Sequence, residues 1–517
     1  MFYGGGVKWN TLVHNGVMFP PEYEQQNVPI MYDGIKIHLS KNAEEIAFFY
    51  AKYINTDYVN NNTFNKNYWN DWKKHLHNTN IHELHKCDFT LMYDHIQKTK
   101  ITQNKNAVNE DKYKFAIVNG KKEQVGSYKI EPPSIFIGRG KNPNLGRIKR
   151  RIYPEDIIIN ISKNAPIPKI QSHLKNHTWG SIIHDNNVEW LASWKDNITN
   201  KTKYVFLNSS SNIKGIDNKN KFELAKKLGR SINSIIKHNN NNICHTDIKT
   251  KQIATATYFI YKFSIRIGNE KGDDEADTVG VTSLRIEHIK LLGNNKISLN
   301  FLGKDSVKYS NTINVNECVY NNLTDFVKNK NSNDLLFDQI LSKDVNEYLQ
   351  TLMDGLTSKV FRTYNASYTF ETELYSRDLN NLSNVDILNE LTTANIKVAV
   401  LMNHQKNISK GYNDQLIKIQ TKIKKYEDIL NKEKQTKSNK KKIDKLKKRI
   451  KEYNAKKTIQ KQLKNISLGT SKLNYIDPRI IVAFAKKYNI PMDKVFTKTI
   501  QNKFKWAMDV DSSYRFG

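Results

Sequence analysis

Ser467-Leu468-Gly469-Thr470-Ser471-Lys472-Leu473-Asn474-Tyr475-Ile476-Asp477-Pro478-Arg479 is the stretch on which the reading of this chain turns. It sets one phenol between a lysine and an arginine. By composition alone Tyr475 is one of 26 tyrosines, and a packed ring with a satisfied hydroxyl is the ordinary state of such a residue. Just downstream, the apolar run Ile480-Ile481-Val482-Ala483-Phe484-Ala485 is far shorter than the ~20 residues a bilayer span needs. Residues 467–517 read as a compact mixed tail with Trp506 and Phe516 for packing.

Upstream lies a segment of a different kind. Leu416, Ile419, Ile423, Tyr426 and Leu430 recur at steps of three and four, as do Ile443, Leu446, Ile450 and Tyr453, across a polar break at Thr436 to Lys440. That spacing predicts an antiparallel helical hairpin. Residues 410–464 hold 20 Lys and Arg against 6 Asp and Glu, a net +14. A solvated coiled-coil face explains such charge as readily as a site beside phosphates does.

Residues 206–407 read as mainly helical with one hairpin. Ile297, Leu299 and Phe301 alternate before Gly303-Lys304-Asp305-Ser306, and Val307 and Tyr309 alternate after it, which puts Lys304 at the turn. Residues 1–205 are rich in Tyr, Trp and Pro. There Asn42-Ala43-Glu44-Glu45 resembles a capping box opening a helix, Gly138 to Pro143 read as a loop leading to the basic run Arg147-Ile148-Lys149-Arg150-Arg151, and Ile157 to Ile161 read as a strand.

The chain has 517 residues, with 82 Lys and Arg against 51 Asp and Glu and a formal charge of +31. Such an excess points to a polyanionic partner, although an AT-rich genome also enriches Lys and Asn. With 38% hydrophobic and 10% aromatic residues the chain can fill real cores. Cys87, Cys244 and Cys318 are odd in number and far apart, which gives no disulfide framework and favours a reducing compartment. The sequence lacks a Walker-type phosphate loop, an H-E-x-x-H pair and an EF-hand loop, which disfavours ATP-driven motors. The one metal candidate, His75, His77, His82, His85 and Cys87, lacks the paired ligand spacing of zinc sites, so no metal site is assigned.

Four further blocks accompany the Tyr475 segment. Arg266 lies in Ile265-Arg266-Ile267-Gly268-Asn269-Glu270-Lys271, Lys304 in Phe301-Leu302-Gly303-Lys304-Asp305-Ser306, Arg362 in Lys359-Val360-Phe361-Arg362-Thr363-Tyr364-Asn365-Ala366-Ser367, and His404 in Met402-Asn403-His404-Gln405. Together they resemble the catalytic motifs of eukaryotic-type DNA topoisomerase I, the type IB family. The similarity also covers Gly6-Val7-Lys8-Trp9, Lys129-Ile130-Glu131-Pro132-Pro133 and Pro154-Glu155-Asp156-Ile157, and so spans nearly the whole chain.

The resemblance implies an α+β fold: a multidomain DNA clamp with a mainly helical catalytic core related to tyrosine recombinases and an antiparallel coiled-coil linker. On that plan residues 1–205 form the N-terminal clamp region, 206–407 the catalytic core, 408–466 the basic hairpin linker and 467–517 the C-terminal domain carrying the tyrosine. It also implies an ATP-independent isomerase that relaxes supercoiled duplex DNA. Tyr475 would attack a phosphodiester to give a 3′-phosphotyrosyl link, with Arg266, Arg362 and His404 holding the nonbridging oxygens and Lys304 protonating the leaving alkoxide. A phenol of pKa ~10 costs about 4 kcal/mol to ionise near pH 7, which Arg266, Arg362, Lys472 and Arg479 would offset.

Arg139, Lys141, Arg147, Lys149, Arg150, Arg151, Asp305, Thr470 and Asn474 would meet DNA. Arg139, Asp305 and Asn474 also match positions associated with camptothecin-class inhibitors. No ATP and no essential divalent metal are expected, nor a membrane partner, and the expected state is a monomer. The compartment implied is the nucleus, or a viral replication site or virion if the source is a large DNA virus. Departures are Lys406 in place of the family's Arg, a start close to the family's folded region, and an arm shortened so that His404 and Tyr475 are only 71 residues apart.

The residues by themselves leave plainer readings open. Arg266 could pair with Glu270 one turn on, Arg362 could cap a helix ending near Leu356, His404 could complement a helix dipole, and Lys304 could simply be solvated. A tyrosine recombinase would share the chemistry, and a noncatalytic DNA clamp would share the charge.

Overall fold

The computed structural model describes residues 6–77, 79–100, 110–138, 140–269, 276–380, 382–435 and 440–517. They pack as two compact units, one of residues up to 214 with 276–277 and one of 215–269 with 278–517. Helix and sheet are segregated rather than alternating, an α+β arrangement.

The first unit has two cores. One gathers Phe64, Tyr68, Trp72 and Phe89 under helices Lys41–Ala51, Asn62–Trp72 and Thr90–Lys100. The other lies under a four-stranded sheet in the order Ser181–Ile183, Ile158–Asn160, Trp190–Lys195, Thr202–Phe206, whose first pair is parallel. The strand expected at 157–161 is thus its three central residues. The helix expected at Asn42 also forms, but Ser40 holds the N-cap position. Glu45, which would have closed the box from Asn42, instead pairs with Arg151 (2.6 Å), and Glu44 is turned inward, its carboxylate accepting the N–H groups of Gln26 (2.9 Å) and Val28 (2.8 Å) and the Tyr23 hydroxyl (2.7 Å).

In the second unit, helices Ile248–Phe263, Ser358–Tyr375, Asn384–Leu401 and Pro478–Lys487 surround one large core. Ile480 to Ala485 are buried all round, which explains their unbroken apolar run. The tail is helical rather than mixed, with Leu468–Asn474, Pro478–Lys487, Met492–Val495 and Lys498–Lys503. The expected hairpin pairs Lys296–Gly303 with Val307–Asn314, in register from Lys296 opposite Asn314 to Gly303 opposite Val307. Ile297, Leu299 and Phe301 face the core. Lys304 sits at the turn, where Asp305 and Ser306 take φ of +66° and +58°.

The basic arm is two helices, Tyr412–Gln435 and Lys440–Gln462. Gln460 donates to Gln415 (3.0 Å), Tyr426 stacks on Tyr453 (5.5 Å) and Lys442 pairs with Glu433 (2.8 Å), so the partners run in opposite directions. Its two ends are stitched together: Lys406 N–H donates to Asn465 O (2.9 Å) and Ser467 N–H to His404 O (2.9 Å).

Candidate active site

Arg362 is built into the middle of helix Ser358–Tyr375 and is 4% exposed, so it caps no helix near Leu356. It instead meets the end of another. Its Nη1 donates to the carbonyl of Ser264, the left-handed residue (φ +54°) that terminates helix Ile248–Phe263, and Nη2 reaches Met402 O at 3.4 Å. A cation is stabilised where a helix presents its unpaired carbonyls. Asn365, three residues on, ties the same corner through Ser264 Oγ (2.8 Å) and Tyr261 O (2.7 Å).

That corner launches the chain toward Arg266. Val281 N–H donates to Arg266 O (2.9 Å) and Thr282 N–H to Ile267 O (2.7 Å). Gly268 has φ +85°, and a Cβ on Gly280 would lie 2.3 Å from Gly268 N, so only two glycines permit this approach. Glu270 lies outside the described residues.

His404 follows helix Asn384–Leu401, where Asn403 at φ +53° turns the chain back and His404 N–H donates to Ala399 O (2.8 Å). The ring is buried, with Nδ1 2.7 Å from Ser471 Oγ and its centroid 5.3 Å from that of Tyr475. Tyr475 ends the short helix Leu468–Asn474, its N–H donating to Ser471 O (2.9 Å). Ser367, on the Arg362 helix, donates to Tyr475 O (3.1 Å) and accepts from Asp477 N–H (3.0 Å). The guanidinium of Arg362 lies 5.1 Å from the Tyr475 ring centre. Exposed Lys304 lines one cleft with Arg266, Arg362 and Asn403. Asn403 and Gln405 both donate to Lys308 O, which fixes the His404 loop against the Lys304 hairpin.

These positions set the charges. Burial pushes the Tyr475 phenol up, but the positive charges of Arg362 and Arg266 beside it pull it below the usual tyrosine value. Burial, with Arg362 and Arg266 alongside, lowers His404 to about 3, so the ring is neutral. Two buried nitrogens, His404 Nε2 and Arg362 Nε, have no partner among the described residues. Buried donors are ordinarily satisfied, and two orphans beside one phenol mark a place where a ligand would complete the bonding. A pocket of cations, a lowered phenol and idle donors suits the binding of an anion and attack on it.

The chain is also similar to known proteins. Residues 210–437 match the family model for the catalytic core of eukaryotic DNA topoisomerase I, residues 7–207 its DNA binding fragment, and residues 447–516 the C-terminal topoisomerase domain. The chain is 41% identical to DNA topoisomerase 1 of Caenorhabditis elegans over 98% of its own length and 68% of that relative. It is 40% identical to the Homo sapiens DNA topoisomerase 1 over 99% of its length and 72% of the relative.

The chain belongs to the eukaryotic DNA topoisomerase I family.

Against DNA topoisomerase 1 alpha of Arabidopsis thaliana the identity is 40% over 99% of this chain, which spans 60% of that relative's length. The resemblance implies that Lys472 and Arg479 help to offset the cost of ionising the tyrosine; the groups seen to lower it are Arg362 and Arg266, and the other two have partners of their own. Arg479 is engaged by Asp477 and Glu223, and Lys472 bonds the Val495 carbonyl and is pushed down to about 8 by burial.

The basic run of this topoisomerase I chain is also more occupied than its sequence suggests. Arg147 pairs with Asp71 (2.7 Å), Lys149 with Glu131 (3.0 Å), Arg150 with Asp156 (2.7 Å) and Arg151 with Glu45 (2.6 Å), the last only 14% exposed. Arg151 also donates to Pro21 O (2.8 Å), which makes it part of the fold. Lys141 is exposed, and Arg139 lies outside the described residues. Asp305 and Asn474 are exposed and Thr470 half-buried, with Asn474 Nδ2 donating to Thr470 O (3.2 Å). Among the described residues no three His, Cys, Asp or Glu side chains could together hold a metal ion, and no helix is long and apolar enough to cross a membrane.

Sequence reasoning passed over Ser264, Ser367 and Ser471, although the last two stand inside the quoted motifs. It also passed over Lys221 and Lys503, whose ammonium groups donate to Asn474 O (2.8 Å) and Leu473 O (3.0 Å) at the end of the tyrosine's helix. A serine's role depends on what the fold brings to it, and the only available signal was its place in those motifs.

Proposed function

We propose that this chain relaxes supercoiled duplex DNA as a type IB topoisomerase, cutting one strand through a 3′-phosphotyrosyl intermediate without ATP. The observation that carries the reading is the Tyr475 phenol set beside the Arg362 guanidinium (5.1 Å from the ring centre) and the His404 ring (5.3 Å), where Arg362 and Arg266 lower its pKa against the pull of burial.

The ionised phenolic oxygen attacks phosphorus in line with the bond to O5′. Its proton passes to water. As the P–O5′ bond breaks, negative charge gathers on the nonbridging oxygens, where Arg266, Arg362 and the N–H of His404 stabilise it; guanidinium forks match two oxygens at once. The departing O5′ takes a proton from Lys304, because an unprotonated alkoxide is as poor a leaving group as hydroxide. Religation reverses each step: Lys304 recovers the proton as the 5′-hydroxyl attacks and Tyr475 leaves. One phosphodiester is exchanged for another, so the cycle requires no ATP, and the charge on phosphorus is met by side chains without an essential divalent metal.

The +31 charge and the match to a DNA binding fragment support duplex DNA as partner. Phosphate contacts fix position without reading bases, so weak sequence preference and steep salt dependence follow. Eukaryotic relatives support a nuclear site of action. Camptothecin-class compounds are proposed ligands of the nicked complex, and a relaxation reaction in which they trap no covalent complex would remove them. The reading itself is tested on supercoiled plasmid in EDTA without ATP. The wild type relaxes it, and Tyr475→Phe binds but does not; a variant as fast as its parent overturns the reading.

A further inference from the structure

Ser471 is fully buried, and one residue does two jobs. Its carbonyl accepts the N–H groups of Tyr475 (2.9 Å) and Ile476 (3.0 Å), while its Oγ lies 2.7 Å from His404 Nδ1. The neutral imidazole has a single N–H, and either nitrogen can carry it. Hydrogen-bond accounting decides which. Among the described residues Ser471 Oγ has no side-chain or backbone partner besides Nδ1. If it accepted from an Nδ1–H, its own O–H would be left buried and unpaired, which costs about 1–3 kcal/mol. If it donates, its one proton is used and Nδ1 is satisfied, which places the imidazole proton on Nε2. That atom is the buried nitrogen without a partner.

We propose that the Ser471 hydroxyl is a positioning group that donates to His404 Nδ1, holds the neutral ring in its Nε2–H tautomer and so presents a donor to a nonbridging oxygen of the scissile phosphate. The opposite tautomer would aim a lone pair at an anionic oxygen. Because the Ser471 carbonyl also carries the Tyr475 N–H, the donor and the nucleophile are registered against one residue. The role in cleavage rests on the proposed function; the tautomer does not.

The test uses the full chain with 15N-labelled histidine, observed by NMR without DNA, the His404 signals being those lost in His404→Gln. A wild-type His404 with a pyrrole-like Nε2 and a pyridine-like Nδ1, and a Ser471→Ala protein in which the two forms mix, is the expected result. A wild-type ring protonated on Nδ1, or a tautomer unchanged in Ser471→Ala, overturns the proposal. In single-turnover cleavage of a DNA duplex, Ser471→Ala should slow the step roughly 10- to 100-fold, less than the ~10²–10³ for deleting an oxyanion donor outright, with DNA binding unchanged. Ser471→Thr, which keeps the hydroxyl, should restore most of the rate. Cleavage by Ser471→Ala at the parent rate also overturns it. If Ser471→Ala does not fold, the wild-type tautomer alone decides. Inactivity of the wild type on DNA would reject the proposed function and leave the tautomer result standing.

Discussion

The guanidinium of Arg362 stands 5.1 Å from the centre of the Tyr475 ring, and the same helix, five residues on, holds the Tyr475 backbone through Ser367. Charge and placement therefore reach the phenol from one rigid element. Sites built on helices hold their geometry more tightly than sites on loops.

Replacing Arg362 removes the charge that lowers the phenol and, on the proposed mechanism, a donor to phosphate. Arg362→Ala should slow single-turnover cleavage by on the order of 10² to 10³. Arg362→Lys should recover little, because one ammonium cannot hold the Ser264 carbonyl and a phosphate oxygen in the same fork. A lysine variant close to wild type would show that charge alone suffices.

Ser367→Ala leaves Tyr475 O and Asp477 N–H without their shared partner. Unpaired buried groups cost about 1–3 kcal/mol, so urea unfolding should show a loss in that range, with slower cleavage. Unchanged stability would mean that neither group depends on Ser367.

The pH dependence has a definite sign. His404 in the folded chain is lowered to about 3 from an ordinary 6.5. Between those values the unfolded chain binds the proton and the folded chain does not. The stability linked to this ring is therefore present above 6.5 and lost as pH falls toward 3. In the free enzyme, kcat/KM should show no inflection near 6.5 from this histidine. Lowering of Tyr475 by Arg362 and Arg266 places the rise toward the phenolate below the ordinary tyrosine range. Arg266→Gln should move that rise to higher pH, and an unmoved profile would remove Arg266 from the ionisation of the phenol.

Lys304→Ala should slow cleavage of a normal strand by on the order of 10² to 10⁴ if it delivers the proton. A substrate with sulfur in place of the bridging O5′ carries a leaving group that needs little protonation, and it should rescue the variant. Failure of that rescue would assign Lys304 another task.

Much of the second unit was legible because its signals are local. The alternation of Ile297, Leu299 and Phe301 fixed the hairpin and the Lys304 turn, and the three-four spacing from Leu416 to Tyr453 fixed the helical arm. What escaped depends on pairs distant in sequence. Ser471 meets His404 across 67 positions and Ser367 meets Tyr475 across 108, and neither serine carries a periodicity. The basic run misled in the same way, since the partners of Arg147 and Arg151, Asp71 and Glu45, lie 76 and 106 positions away. The helix starts at Ser40 rather than in a box from Asn42, and the Arg151 that engages Glu45 lies 106 positions away.

The most direct measurement traps the intermediate. A duplex nicked so that the released strand diffuses away is incubated with the full chain in EDTA, the adduct is digested, and the modified peptide is sequenced by mass spectrometry. A nucleotide joined through its 3′-phosphate to Tyr475, with a 5′-hydroxyl on the released strand that a polynucleotide kinase can label, is the expected result. A 5′-phosphate linkage, or an adduct on any other residue, would contradict it.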